Sequence, residues 1–186
     1  MDTNQFTSQL VQFTSVEEQI NSNATLNSIL TATQGQQLAQ ASSLVGQTAE
    51  FTSTSVPLQN STGQIDYTVS GAQQVQITVT NSAGATVRSD TVNATAGANV
   101  WKWDGTSTSG AAEPDGTYTA TVTTVPTVSG STGTAVPFTV VGTITGAQQS
   151  NGTVQLMFGS EATTFDKVVK FSGSSSSTSS STSSGS

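Results

Sequence analysis

The chain has 186 residues, of which 8% are charged and 33% hydrophobic, and it carries a formal net charge of -7. It contains no His and no Cys, which excludes His/Cys zinc sites, Ser-His-Asp and Cys-His nucleophile pairs, imidazole acid–base chemistry and disulfide stapling. Four Lys and Arg against that negative balance cannot track a phosphate backbone, and no apolar run approaches the ~20 residues of a membrane-spanning helix.

From Met1 to about Val45 the pattern is helical. Phe6, Leu10, Phe13, Val16 and Ile20 recur at spacings of three and four and line one face. Asp2 and Gln5 stand at capping-box spacing at its start. Asn21-Ser22-Asn23 loosens the pattern, and Leu26, Ile29 and Leu30 resume it. Gly35 weakens it again before Leu38, Ala41, Leu44 and Val45 lead to a stop at Gly46. The expectation is two helical segments. Their apolar stripe must be covered either by the chain's own β region or by another protein, with Phe6, Leu10, Phe13 and Ile20 as the contact residues. Glu17 and Asn27 interrupt it too much for a regular coiled coil.

Beyond Gly46 the period changes to two. Ile65, Tyr67 and Val69 alternate with polar residues, as do Val75, Ile77 and Val79. The latter run into Asn81-Ser82-Ala83-Gly84 and a return strand over 87–92, which predicts a hairpin. Further strands are expected over 100–103, 117–125, 136–144, 154–158 and 165–171. Many short strands between Gly, Ser and Asn turns define an all-β sandwich or barrel. Residues 172–186 contain only Ser, Thr and Gly, with nothing to bury, and read as a flexible tail.

The densest motif is Trp101-Lys102-Trp103-Asp104-Gly105, then Gly110, then Pro114-Asp115-Gly116-Thr117-Tyr118. Trp101 and Trp103, two apart on a strand, share one face. Asp104-Gly105 and Pro114-Asp115-Gly116 are turn chemistry: Pro presets φ, Asp bonds nearby backbone, and Gly supplies positive φ. Three functional alternatives attach to the same residues. Asp104, Glu113 and Asp115 are hard-cation donors, but without the alternating carboxylates of a calcium loop. A glycosidase carboxylate pair is a weaker alternative, and exposed Trp rings stacking on a sugar are a third. The structural reading, turns plus core, leads. No catalytic, cofactor or metal residues are assigned, and no nucleic-acid or membrane partner is expected.

The run Met1-Asp2-Thr3-Asn4-Gln5-Phe6-Thr7-Ser8-Gln9-Leu10, with Gln12-Phe13 and Val16-Glu17, resembles the flagellar hook-capping proteins, the FlgD-type hook assembly scaffolds. Trp103-Asp104-Gly105, Gly110 and Pro114-Asp115-Gly116-Thr117-Tyr118 resemble that family's immunoglobulin-like subdomain. Val141-Gly142-Thr143-Ile144-Thr145-Gly146 with Val154-Gln155-Leu156 resembles its Tudor-like subdomain. The resemblance implies a mainly β fold in which an immunoglobulin or fibronectin III-like sandwich (65–138) is inserted in a small Tudor-like β-barrel (46–64 and 139–171). N-terminal α-helices (1–45) precede it. It implies a non-enzymatic, homo-oligomeric cap that promotes polymerisation of hook subunits at the distal end of the growing hook. Such a cap is exported through the flagellar channel without a cleaved signal peptide. In the family a further stretch with export information usually precedes the motif that here opens the chain. The alternative class is a secreted carbohydrate-binding or adhesive β-sandwich protein.

Overall fold

The computed structural model describes residues 3–128 and 130–173, with side chains described from Phe13 onward. Asp2 of the expected capping box and the tail from Ser174 to Ser186 lie outside the described residues, as do the side chains of Phe6 and Leu10.

One helix, α1 (Thr3–Ser42), replaces the two expected segments. Asn21-Ser22-Asn23 and Gly35 do not break it, because the polar residues in this stretch satisfy themselves within the helix. The hydroxyls of Thr25, Ser28, Thr31 and Thr33 each donate to the carbonyl four residues back, at 2.8–2.9 Å. They therefore do not pull the backbone into turns. Proline first occurs at Pro57, so nothing removes a helical N–H. The helix ends in tight turns through Ser43–Val45, and Gly46 (φ 88°) redirects the chain by donating to the carbonyl of Ile144 at 2.8 Å.

Twelve strands follow. They are β1 (Thr48–Phe51), β2 (Ser55–Leu58), β3 (Gly63–Val69), β4 (Gln73–Thr80), β5 (Thr86–Ala94) and β6 (Gly97–Trp103). After these come β7 (Gly116–Thr124), β8 (Phe138–Thr143), β9 (Gly146–Ser150), β10 (Thr153–Phe158), β11 (Glu161–Thr164) and β12 (Val168–Ser172). The expected hairpin forms between β4 and β5, with Asn81 Oδ1 accepting from the N–H groups of Ala83 and Ala85. The strand expected over 165–171 begins later, since Phe165–Lys167 form a 3₁₀ turn. Strands β1, β2, β9 and β11 have only four or five residues each, too few for a period to stand out, and the sequence reading did not find them.

The strands build three sheets, in the orders β12-β1-β8-β3-β6, β2-β7-β4-β5 and β11-β10-β9. The first two face each other as a sandwich. Ile65, Tyr67, Val69, Trp101 and Trp103 point inward from one sheet, and Val75, Ile77, Val79, Tyr118, Ala120 and Val122 from the other. Strand β8 pairs with β3 on one side and β1 on the other, so a single sheet runs from the sandwich into the flanking β region. That region is not a closed barrel among the described residues: its strands are divided between the long sheet and the separate β9–β11 sheet. Pro57 is tolerated because β2 is an edge strand, where a missing N–H breaks no ladder on its open side.

The three sheets meet at Gly142. A Cβ there would lie 2.9 Å from Pro57 Cγ of β2 and 3.0 Å from the Phe158 ring of β10. Beside it, Phe51 of β1 stacks on Phe158 with ring centroids 4.2 Å apart. The β10–β11 turn adds polar ties: Ser160 Oγ lies 2.8 Å from Thr117 Oγ1, and Ser53 Oγ donates to Glu161 Oε1 at 3.4 Å. Burial pushes the Glu161 carboxyl above the usual range, opposed by hydrogen bonds from Ser53 and Ser55 and by Lys167.

Two outcomes follow from this joint. Gly142→Val overpacks it and lowers unfolding free energy by about 1–3 kcal/mol, read from the urea midpoint. Because the folded-state pKa of Glu161 is raised, its ionisation disfavours the fold at neutral pH and the penalty disappears as pH falls below the unfolded value. Glu161→Gln therefore raises the melting temperature at pH 7 and loses that advantage in acid, as paired thermal melts across pH will show.

Candidate protein-interaction face and the Trp–Tyr motif

Both indoles of the dense motif are core. Trp101 is 6% exposed and Trp103 is 1% exposed. Trp103 packs edge-on against Tyr118 with centroids 4.8 Å apart, and its Nε1 donates to the carbonyl of Thr106 at 2.7 Å. Trp101 Nε1 donates to Asp90 Oδ2 at 3.1 Å, while Asp90 Oδ1 accepts from Arg88 Nε at 2.8 Å. This ties β5 of one sheet to β6 of the other. Neither ring offers an open face for stacking on a sugar.

The carboxylates of the motif serve the backbone. Asp104 Oδ1 accepts from the Thr106 hydroxyl at 2.6 Å and from its N–H at 3.1 Å. These bonds, with a smaller contribution from Arg88, hold its carboxyl below the usual range. Asp115 accepts from the N–H groups of Asn60 and Ser61 at 2.7 and 2.9 Å. Those two residues make the β2–β3 turn with φ of 50° and 57°, the left-handed region that Asn tolerates and Ser rarely enters. Gly105 (φ 69°) packs directly behind, where a Cβ would come within 3.1 Å of Ser61 Cα. Glu113 donates its backbone N–H to the Gly105 carbonyl at 2.8 Å, and the Tyr118 hydroxyl donates to the Pro114 carbonyl at 2.8 Å. Burial is the main cause that pushes the Tyr118 phenol up, with Glu113 next. Gly116 sits opposite Leu58 in the β2–β7 ladder. Of the carboxylates in the cation and glycosidase alternatives, Asp104 and Asp115 are thus engaged in holding turns. No group of three or more His, Cys, Asp or Glu able to hold a metal occurs among the described residues.

The helix presents the other candidate surface. Among the described side chains it is anchored near its C-terminal end, where Ala41 is fully buried and Leu38 and Leu44 pack against the core. Gln34 uses both ends of its amide: Nε2 donates to the Gly152 carbonyl at 3.0 Å, and Oε1 accepts from Gln149 Nε2 at 2.6 Å. From residue 13 to residue 33 every side chain is exposed. Phe13 is 72% exposed and Ile20 62%, and Val16, Leu26, Ile29 and Leu30 are more than half exposed. Among the described residues, the chain's own β region therefore covers only the C-terminal end of the stripe. A groove of about 740 Å³ between α1 and β10, lined by Leu30, Gln34, Leu44, Val154 and Phe165 among others, continues from it. Sequence reasoning missed Phe165 and Val154 as groove residues, because their place beside α1 depends on tertiary packing.

Residues 52–127 match the FlgD Ig-like domain family. The chain is 33% identical over 132 residues to the basal-body rod modification protein FlgD of Escherichia coli (strain K12), a match that takes in 66% of this chain and 57% of that protein. It thus spans little more than half the length of that relative. The fold is shared with the crystal structure of FlgD from Xanthomonas campestris, at TM-score 0.60 and 21% identity over 73% of this chain and 99% of that one. It is shared also with FlgD from P. aeruginosa, at TM-score 0.56 and 19% identity over 69% and 98%. The X. campestris structure is described in terms of the hook capping essential for flagellar assembly. Residues 52–127 are thus similar to the FlgD Ig-like domain, within a fold shared with the FlgD crystal structures, and these matches support the likeness to FlgD read from the sequence.

Trp103→Ala removes a ring that is wholly inside this core and lowers stability by about 3–5 kcal/mol. Chemical denaturation measures it, and intrinsic tryptophan fluorescence of the unaltered protein stays unchanged on titration with glycans.

Proposed function

We propose that the protein is a non-enzymatic hook cap or scaffold, which promotes the polymerisation of exported hook subunits at the distal end of the growing flagellar hook. The observation that carries this reading is the division of labour between its two parts. Motif side chains with chemical potential are spent on holding turns, while a 40-residue helix projects an uncovered apolar stripe. Phe6, Leu10, Phe13 and Ile20 are the contact residues in this reading, facing hook subunits or neighbouring cap protomers. The β region forms the plate of a homo-oligomeric cap over the subunit exit. Its discontinuous part, 46–64 with 139–171, brackets the sandwich at 65–138; the pairing of β1 with both β8 and β12 supports this division, while β2 (Ser55–Leu58) pairs into the sandwich sheet. Passage through the flagellar channel delivers it to the hook tip.

The Ser-, Thr-, Asn- and Gln-rich surface suits this task. A cap that moves as each subunit is inserted needs many replaceable contacts and no deep hot spot. Deleting the gene from its source strain should release unpolymerised hook protein into the medium and leave cells without hooks, with rescue by the intact gene. Complementation with the Leu10→Asp/Phe13→Asp double variant should fail while its β body keeps the unaltered fold by near-UV circular dichroism. Normal hooks in the deletion strain would remove the capping role.

A further inference from the structure

We infer that the Phe13–Ile20 face of α1 docks on a partner protein whose apolar surface is rimmed by Lys or Arg, and does not pair with the same face of a second copy of this chain. The inference rests on the proposed contact role of the helix and specifies the chemistry of what it contacts.

Phe13, Glu17 and Ile20 stand at i, i+4 and i+7, so the Glu17 carboxylate sits within the apolar line, with Glu18 at its side. Both glutamates are exposed, as are Phe13 and Ile20. Covering the two apolar residues means covering the carboxylate between them. On a helix, a charge of this kind is ordinarily answered by a cation three or four residues away. Here Thr3 to Ser42 contains no Lys or Arg. The four cations of the chain, Arg88, Lys102, Lys167 and Lys170, all follow in the β region, and Arg88 is engaged with Asp90 and Asp104.

This charge pattern selects the partner. Two copies paired through the stripe in parallel register bring Glu17 against Glu17. In antiparallel register Glu17 faces a helix without a single cation. Both arrangements desolvate a carboxylate with no counter-charge, which is strongly disfavoured, and Asn27 places a second polar residue in the same seam. A partner that sets a Lys or Arg beside its apolar groove turns the same carboxylate into a source of register and electrostatic steering.

Two labelled synthetic amphipathic peptides with one leucine pattern serve as probes, one with Lys and one with Glu at every polar position. Anisotropy titrations of the full chain at low and high salt compare the unaltered protein with Phe13→Asp and Glu17→Gln/Glu18→Gln. The Lys peptide should bind at least about ten-fold tighter than the Glu peptide, with a preference that falls in high salt. Phe13→Asp should abolish binding. Glu17→Gln/Glu18→Gln, which keeps helix propensity, should remove most of the preference for the Lys peptide. Equal binding of the two peptides, an unchanged preference in the double Gln variant, or a sedimenting dimer that Phe13→Asp dissociates would each overturn the inference. Hook assembly is a separate readout. If Leu10→Asp/Phe13→Asp supports normal hooks while the peptide preference stands, the capping reading fails and the chemistry of the face survives. Loss of hooks with no charge preference reverses that outcome.

Discussion

Gly142 has no room for a side chain, and much of the β body depends on that. It lies on β8, the strand that carries one sheet from the sandwich into the flanking region, and Pro57 and the Phe158 ring close on it from the other two sheets. The close approach lets Phe51 stack on Phe158 and joins what would be two separate small cores. Small cores are weak because too little surface is removed from water. With only seven Phe, two Trp and two Tyr in 186 residues, this chain reaches sufficient burial by sharing one core among three sheets.

A chain this poor in charge holds its turns with single short side chains. Asp115, Asp104 and Asn81 each accept two bonds from nearby N–H or hydroxyl groups, and Asn99 Nδ2 donates to the carbonyls of Thr95 and Gly97. Such bonds stabilise modestly one by one, but each fixes a register that the flanking strands then repeat. The Asp115 bonds are the clearest case. They hold Asn60 and Ser61 at left-handed φ, which sets the turn by which the chain passes from β2 in one sheet to β3 in the other, and Tyr118 anchors the same segment through Pro114. Two distant stretches of sequence are thereby locked together by one motif.

This is why the motif was legible as structure before its contacts were known, whereas its partner was not. Trp103, Asp104 and Pro114-Asp115-Gly116 declare turns and core from residue type alone. Nothing local says that Asp115 reaches back to Asn60. The longer alternating strands, β3 to β7, were readable because one buried face imposes period two on them. Strands β9 and β11 have partners that only the assembled sheet supplies, so Gly146–Ser150 and Glu161–Thr164 look like loops. The helix shows the opposite error. Asn, Ser and Thr weaken helical propensity on average, but here the hydroxyls of Thr25, Ser28, Thr31 and Thr33 fold back on the carbonyl four residues earlier, within one continuous helix.

The same helix sets the terms on which the protein can bind. Residues 13–33 are exposed, with no Lys or Arg along the helix to pair Glu17 and Glu18 and few strong helix formers, so little of what stabilises isolated helices supports their order. The firm anchor begins only at Gln34, with its paired amide bonds, and continues through Leu38, Ala41 and Leu44. A partner that grips the Phe13–Ile20 face must therefore supply the free energy that fixes the helix as well as that of the contact itself. Binding of this kind covers a long surface at low net affinity. For a cap in the proposed role that limit is useful, because a contact strong enough to hold each subunit permanently would stop the next from entering.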